Sequence, residues 1–228
     1  MGSMNQPMSP TPETTLHAYE HLTPDVVLDA LASVGLHGDG RLMALSSYEN
    51  RVYQVHLEHS VGKAAAAGEI VVVKFYRPDR WTQAQIIEEH AFAAELMAAE
   101  IPVVGALQLH SHTLHHFGGF SFSVSPSRGG RRPELDNLEV LEWIGRFLAR
   151  IHTVGSARPF THRPALDLQT FGYASRDVLL KGGYLPLDME SRWLKAFEET
   201  MITAQSVFES ASDVKKLRLH GDCHPGNI

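Results

Sequence analysis

The spacing of hydrophobic positions divides the chain into a first half rich in predicted strands and a second half that is helical. Apolar and polar residues follow strand patterns at 42–45 and 52–57. The run at 69–76 is apolar except for Glu69 and Lys74, which predicts a strand buried on both faces. Two more strands are expected at 104–109 and 119–124. These segments predict a small antiparallel sheet.

Two helices of the first half are marked by their capping residues. The Thr-Pro-Asp sequence at 23–25 supplies an N-cap, a proline in the first turn and an acid near the positive end of the helix dipole, and Gly35 ends the helix. Thr82 and Gln85 have the spacing of a capping box, which predicts a second helix from there to about residue 99.

The second half carries two longer segments whose apolar residues recur at helical spacing. Each stripe is interpreted as the core-facing side of a helix in a larger, mainly helical lobe. The two stripes are Leu138, Leu141, Ile144, Leu148 and Ile151, and then Trp193, Phe197, Met201, Ala204 and Phe208.

Composition places the chain among ordinary globular proteins, with 43% hydrophobic and 20% charged residues. It lacks an apolar run of the roughly 18 residues that a membrane span needs, and a signal-peptide pattern, so a cytoplasmic protein without a membrane partner is expected. The net charge of −6 argues against nucleic-acid binding. The single cysteine, Cys223, fits a reducing compartment and is interpreted as a small buried residue rather than a redox group.

Two further stretches are interpreted conservatively. Four histidines at 110–116 are followed by Gly118 and Gly119, which favours a hairpin turn over a zinc site. Residues 1–20 begin with Met-Gly-Ser, typical of a tag remnant, and continue with a Pro/Ser/Thr-rich stretch. We expect this tag and leader to be disordered.

A polar loop at 220–228 follows the alternating residues 217–219, which are typical of a strand. Asp222 and Asn227 lie five residues apart, with a Pro-Gly turn between them. In phosphoryl transfer an Asp accepts the proton of the attacking hydroxyl, and an Asn later in the loop ligates a metal bound to the nucleotide phosphates. A surface turn is the alternative interpretation. The combination of His, Gly, Asp, His and Asn favours catalysis, with His220 and His224 shaping the loop.

Lys74 closes the apolar strand at 69–76, where an unpaired ammonium group is costly to bury. Contact with nucleotide phosphates, together with an ion pair to a glutamate on the next helix, explains a lysine at this point. The alternative is a side chain that extends to solvent. Glu88 and Glu89 are both candidate partners.

The loop His-Gly-Asp-x-His-x-x-Asn at 220–227 resembles the catalytic loop of the aminoglycoside phosphotransferase and choline kinase group, whose fold is similar to that of protein kinases. With residues 47–53 and 73–78, it also resembles bacterial serine/threonine protein kinases of that group. The resemblance extends from about residue 23 to 228. It implies an α+β, two-lobed protein-kinase-like fold with an N-lobe at 21–125, a hinge at 126–132 and a C-lobe at 133–228, incomplete at its C-terminus.

The resemblance also assigns roles within an ATP and Mg²⁺ site. It implies that Lys74 contacts the phosphates and that Glu89, by its spacing to the Ile-Pro-Val sequence at 101–103, holds that lysine. Asp222 would be the catalytic base and Asn227 the metal ligand. Further nucleotide contacts would come from a loop over the phosphates and from the hinge: Ser46, Ser47, Asn50 and Ser127. Because the loop lacks the glycines that phosphate-covering hairpins use, its residues alone favour a plain hairpin.

The implied function is ATP-dependent phosphorylation of serine or threonine on a protein, with autophosphorylation, by a monomeric bacterial kinase acting in stress. A kinase for a small hydroxylated molecule is the first alternative. A non-catalytic nucleotide-binding module is the second, because the Asp-rich segment that follows the catalytic loop in the resembled family is not in this sequence. For the same reason, the 228-residue chain alone is expected to transfer phosphate poorly.

Overall fold

The computed structural model describes residues 18–58, 68–211 and 213–228, and most of the predicted loop at 61–68 lies outside them. Its first half forms a five-stranded antiparallel sheet with the order β1-β2-β3-β5-β4. The strands are β1 Gly38–Leu45, β2 Arg51–Leu57, β3 Ile70–Phe75, β4 His115–Phe117 and β5 Phe120–Pro126. The predicted α+β class is confirmed.

One face of the sheet packs against helix α1, Pro24–Ser33, whose N-cap is Thr23 as predicted. Side chains on β3 alternate, so that Val73 and Phe75 are fully buried on this face while Lys74 is half-buried on the other. The prediction that β3 is buried on both faces is therefore wrong. Helix α1 covers one face, and the other face keeps a half-exposed row that includes Lys74.

Helix α2, Gln83–Ala98, begins with the predicted capping box. The Gln85 amide N–H donates to Thr82 Oγ1 at 3.3 Å, and the Thr82 amide N–H donates to Gln85 Oε1 at 2.9 Å. These reciprocal bonds satisfy backbone donors that the first turn of a helix leaves free. Farther along, Phe92 and Leu96 pack against Ile151 and join α2 to the helical half.

The strand predicted at 104–109 is wrong, and the short strand β4 takes the edge of the sheet instead. Leu107 still donates a backbone hydrogen bond to the Val124 carbonyl at 2.7 Å. However, a Cβ on Gly105 would lie 2.6 Å from the sulfur of Met97, so this segment packs tightly against α2. The predicted Gly-Gly hairpin turn is confirmed between β4 and β5, where both glycines, 118–119, have positive φ.

The second half contains α3 Leu138–Gly155, a π-helical turn at Gln169–Tyr173, α4 Ala174–Lys181 and α5 Leu187–Ser210. The two predicted helices are confirmed, but their stripes are not core throughout. Of the stripe residues, Ile151 and Met201 are buried, whereas 81% of Leu138 is exposed. In the described part of the chain, the C-terminal end of α3 packs against α2, and along the rest of the stripe Leu138 and Leu141 are exposed while Ile144 and Leu148 are half-buried.

The N-terminal leader was predicted to extend to residue 20, and residues 1–17 lie outside the described part of the chain. Tyr19 contradicts that boundary because it is buried in the sheet core. Its ring stacks on Phe120 and its hydroxyl donates to the Glu49 carbonyl at 3.2 Å. The aromatic ring thus fixes the chain to the sheet before α1 begins.

Residues 127–137 connect β5 to α3 without helix or strand, and they contain most of the predicted hinge at 126–132. The boundaries of the two predicted lobes remain predictions. None of the helices in the described part of the chain combines the length and apolarity that a membrane span requires.

Candidate functional site

Lys74 and Glu89 form an ion pair between strand β3 and helix α2. The Lys74 Nζ lies 3.5 Å from Glu89 Oε1, and both side chains are partly exposed. The same ammonium group lies 4.8 Å from the centroid of the Tyr76 ring, where it makes a cation–π contact. The lysine is therefore held in place from two sides while remaining accessible to an anionic ligand.

The second oxygen of Glu89 is bound by Arg163, from the segment between α3 and α4. Arg163 Nη1 lies 3.0 Å from Glu89 Oε2, and its guanidinium lies 4.3 Å from the ring centroid of Trp81. One carboxylate thus fixes both the lysine of β3 and an arginine of the helical half. Sequence reasoning missed Arg163, because nothing in its neighbourhood marks it as a partner of α2.

Glu88, the alternative partner for Lys74, has a different set of contacts. Its carboxylate accepts backbone hydrogen bonds from residues 161–163 at 2.5, 2.9 and 2.7 Å. Burial acts to raise the pKa of Glu88, but these three donors outweigh it and leave the pKa below its usual value. Glu88 therefore binds the loop at 161–163, and Glu89 is the residue that contacts Lys74.

A hydrogen-bonded chain of side chains lies behind Lys74. The Tyr76 hydroxyl lies 2.7 Å from His90 Nε2 and 3.1 Å from Ser123 Oγ, and His90 Nδ1 lies 2.9 Å from Thr113 Oγ1. Burial raises the pKa of Tyr76 and lowers the pKa of His90, so both groups are neutral near pH 7. This network holds in place the Tyr76 ring that contacts Lys74.

The loop between β1 and β2 is joined to the segment that follows β3. Asn50 Oδ1 accepts from the Arg77 amide at 3.3 Å. Glu49, which sequence reasoning did not select, accepts from Trp81 Nε1 at 2.6 Å and from Arg80 Nε at 3.3 Å. These contacts hold the loop beside the end of β3, where Lys74 lies.

The other predicted nucleotide contacts lie at the surface. Ser46 is exposed and Ser47 is half-buried. In the linker, the amide of Ser127 already donates to the Ile70 carbonyl at 3.1 Å. The roles of these residues, and of Asn50, toward a nucleotide remain predictions.

Asp222 and Asn227 face each other across the loop at the end of the chain. Asn227 Nδ2 donates to Asp222 Oδ2 and to the Asp222 carbonyl, each at 2.9 Å. Gly221 has φ of +82°, which is accessible to glycine and reverses the chain just before Asp222. The Asp222 side chain is 76% exposed. The carboxylate is therefore oriented by Asn227 and open to a reactant.

The two histidines shape this loop, as predicted. His220 Nδ1 accepts from the Asp222 amide at 3.3 Å, and His224 Nδ1 accepts from the Gly226 amide at 3.0 Å. The turn at Pro225-Gly226 is also confirmed, since the Asn227 amide donates to the His224 carbonyl at 2.8 Å.

Two predictions about the loop and its approach are wrong. Cys223 is exposed rather than buried, because the loop lies at the surface. Residues 217–219 form no strand, since none of the described strands lies beside them. Arg218 instead bonds through its backbone to Gly155 on α3, and its buried side chain contacts Glu95 on α2. Sequence reasoning missed this arginine.

The residues of the loop fit a hard cation such as Mg²⁺, which prefers oxygen ligands and takes few of them from the protein. The amide nitrogen of Asn227 faces Asp222, so its amide oxygen lies on the other side of that group. By contrast, the described residues contain no group of three or more His, Cys, Asp or Glu side chains arranged to hold a metal. The histidines at 110–116 are not brought together into such a group.

The chain has relatives among curated and structurally solved proteins. Stress response kinase A of Shigella flexneri and that of Escherichia coli K12 are each 40% identical over 210 residues, and serine/threonine protein kinase RdoA of Salmonella typhimurium is equally similar. The match covers 92% of this chain and 61% of each relative. The chain therefore spans about three fifths of their length.

Two solved structures share the fold at low sequence identity. Amicoumacin kinase hAmiN, in complex with AMP-PNP, Ca²⁺ and Ami, is 15% identical with a TM-score of 0.66, and the match covers 95% of this chain and 62% of that one. Spectinomycin phosphotransferase APH(9)-Ia, in complex with ADP and spectinomycin, is 12% identical with a TM-score of 0.54, covering 88% and 63%. The predicted kinase-like fold is confirmed. Residues 41–228, which include both the Lys74–Glu89 pair and the Asp222 loop, match the phosphotransferase enzyme family, and the chain belongs to that family.

Proposed function

We propose that this chain contains the nucleotide-binding and catalytic residues of an ATP-dependent serine/threonine protein kinase that acts in a bacterial stress response. The observation that carries the proposal is the presence of two preorganised pairs, Lys74–Glu89 and Asp222–Asn227, within one phosphotransferase family region. The protein acceptor and the stress response are inferred from the names of relatives that are 40% identical.

In the proposed reaction, Lys74 binds the phosphates of ATP, and Glu89 and the Tyr76 ring keep its ammonium group in position. The loop that includes Ser46, Ser47 and Asn50 covers the phosphates. Ser127 lies in the linker proposed to contact the adenine. Because Glu89 is also bound by Arg163, its carboxylate cannot rotate away from the lysine without breaking a second ion pair.

Asp222 acts on the acceptor. Its exposed carboxylate orients the hydroxyl of a serine or threonine and takes its proton as the oxygen forms a bond to the γ-phosphorus. The bond from that phosphorus to the bridging oxygen breaks, and ADP leaves. The Asn227 amide keeps the carboxylate directed and presents its oxygen to Mg²⁺, which, when bound, neutralises charge on the phosphates.

The test is transfer of label from [γ-³²P]ATP by the full-length protein to itself and to Ser/Thr-containing proteins. We expect label on serine or threonine, reduced at least about 100-fold in Asp222→Asn and strongly reduced in Lys74→Ala. Asp213→Asn and Lys215→Ala are matched controls, because both residues are exposed and neither ends a strand or a loop of the site. Their activity should stay within about twofold of wild type.

Each other outcome counts against the proposal in a different way. Label that enters only small hydroxylated molecules, and still depends on Asp222, identifies a small-molecule kinase. Binding of AMP-PNP without transfer to any acceptor identifies a nucleotide-binding module. Equal activity in Asp222→Asn and wild type contradicts the assigned base, because that residue carries the only proposed proton acceptor.

A further inference from the structure

Arg218 is a buried cation located four residues before Asp222. Its side chain is 3% exposed, and its Nη2 donates to Glu95 Oε2 at 2.7 Å and to the Val154 carbonyl at 3.0 Å. Glu95 lies on α2 and Val154 on α3. One guanidinium group thus fixes the approach to the catalytic loop to two helices.

Aromatic and backbone contacts complete this attachment. The guanidinium lies 4.4 Å from the ring centroid of Phe92 and 5.7 Å from that of Phe160. The Arg218 amide donates to the Gly155 carbonyl at 3.2 Å. A Cβ at Gly155 would overlap the carbonyl oxygen of Arg218, so the two backbones meet where only glycine fits.

Helix α2 joins this attachment to the nucleotide side of the site. Glu89, which holds Lys74, and Glu95, which holds Arg218, lie six residues apart on the same helix. That separation is about 9 Å along a rigid helix axis. Helix α2 therefore fixes the positions of both Lys74 and the segment that leads to Asp222.

The arrangement is not what stability alone would favour. Removing a guanidinium from water is unfavourable, and well-packed apolar residues often replace buried ion pairs without loss of stability. The Arg218 Nε is also buried with no hydrogen-bond partner among the described residues. The Arg218 hydrogen bond is the main cause that lowers the pKa of Glu95, with Arg158 adding to it, so the carboxylate is charged near neutral pH.

We propose that Arg218 is a positioning residue that sets the place of Asp222 relative to Lys74 by fixing the catalytic loop to helix α2. The proposal deepens the kinase assignment above and rests on it for its kinetic readout. It assigns to Arg218 no contact with ATP or with the acceptor. Its effect should therefore fall on the chemical step rather than on nucleotide binding.

The test compares Arg218→Met with Arg158→Met in the full-length protein. Arg158 binds the same Glu95 carboxylate but is 63% exposed, and among the described residues its only hydrogen bond or ion pair is with Glu95. Either variant leaves Glu95 paired with one arginine, so the Glu95 carboxylate keeps a cationic partner in both. We expect Arg218→Met to lower kcat about 10- to 100-fold with the KM for ATP within about threefold, because misplaced groups slow the reaction itself.

Amide hydrogen exchange at residues 219–228 supplies a readout that does not depend on activity. Exchange there should be faster by about fivefold or more in Arg218→Met and unchanged in Arg158→Met. Arg218→Lys should recover part of the loss, since it keeps the charge near Glu95 but not the planar stacking. If Arg218→Met does not fold, Arg218→Lys and Arg158→Lys carry the same comparison, with a smaller loss expected in the first and none in the second.

The proposal is overturned if kcat per folded molecule and exchange at 219–228 both match wild type in Arg218→Met. It is also overturned if Arg158→Met produces the same losses, because a general charge effect on Glu95 would then explain them. If wild type itself transfers no phosphate, the kinase assignment fails by itself. Hydrogen exchange alone then tests whether Arg218 fixes the catalytic loop to α2. Faster exchange at 219–228 that is confined to the Arg218 variant supports the proposal, and any other result overturns it.

Discussion

Two adjacent glutamates on α2 show how one position along a helix changes what a side chain does. Glu89 points to cations on both sides, Lys74 and Arg163. Glu88 points to three backbone N–H groups of the loop at 161–163. Neighbouring residues on a helix are directed about 100° apart, so the same carboxylate chemistry serves the site in one case and the loop in the other.

Glutamine substitutions at these positions should therefore separate binding from stability. Glu89→Gln removes the charge beside Lys74, and we expect the affinity for AMP-PNP to fall about tenfold with a small change in unfolding. Glu88→Gln keeps an acceptor of the same shape but weakens three charge-assisted bonds, which should lower the free energy of unfolding by about 1 to 2 kcal/mol. Calorimetric binding and denaturant unfolding measure the two effects. The same response in both variants would contradict the division of roles.

His90 should make stability depend on pH. Burial is the main cause that lowers its pKa in the folded protein, Lys74 and His115 act in the same direction, and Glu89 opposes them. In the unfolded chain His90 binds a proton near its ordinary pKa of about 6.5, whereas in the folded protein it stays neutral at that pH. The free energy of unfolding therefore falls as the pH drops through that value. The midpoint of thermal unfolding at pH 7.5 and 5.5 should differ less in His90→Gln than in wild type. A remaining difference is expected from His115, whose pKa burial also lowers.

At the scale of elements, the close approach of α3 and the segment before the catalytic loop depends on a single glycine. Gly155 has no room for a Cβ, whereas Gly145 on the same helix has no atom within 4 Å of that position among the described residues. Gly155→Ala should therefore displace residues 217–219 and destabilise the fold by about 1 to 3 kcal/mol. Gly145→Ala should stabilise it by about 0.5 to 1 kcal/mol, because alanine favours helix. Denaturant unfolding distinguishes the two signs.

The sequence predicted those elements whose determining residues are close together along the chain, and it failed where the contacts join distant residues. The capping box of α2 was predictable because Thr82 and Gln85 are local to one turn. The segment at 217–219 was mistaken for a strand because an alternating sequence does not show whether a neighbouring strand is present to pair with it. Arg218 and Glu95 are separated by 123 positions, so no local pattern joins them. Helical periodicity likewise identified the apolar stripe of α3 but not what covers it.

At the scale of the whole molecule, the sheet half and the helical half meet through α2 and the loop at 160–163. Gln85 Nε2 donates to the His162 carbonyl at 3.0 Å, and Glu88 accepts from three amides of the same loop. Arg163 adds an ion pair to Glu89 and stacks on Trp81. Because the adjacent Glu88 and Glu89 both contact this loop, and their contacts with Arg163 are partly buried, we expect the two halves to unfold as one cooperative unit.

Arg163→Met should weaken that cooperation, since it removes both the ion pair and the cation–π contact while keeping an apolar stem. We expect a loss of about 1 to 3 kcal/mol in the free energy of unfolding, with hydrogen exchange at 187–210 accelerated more than exchange at 70–75. Arg146→Met is the matched control, because Arg146 pairs with Glu142 on the surface of α3 and its loss should stay within about 0.5 kcal/mol. Equal acceleration in both segments would show that the halves still unfold together. In that case Arg163 contributes stability, and the joint between sheet and helices depends on the backbone contacts of Glu88 and Gln85 instead.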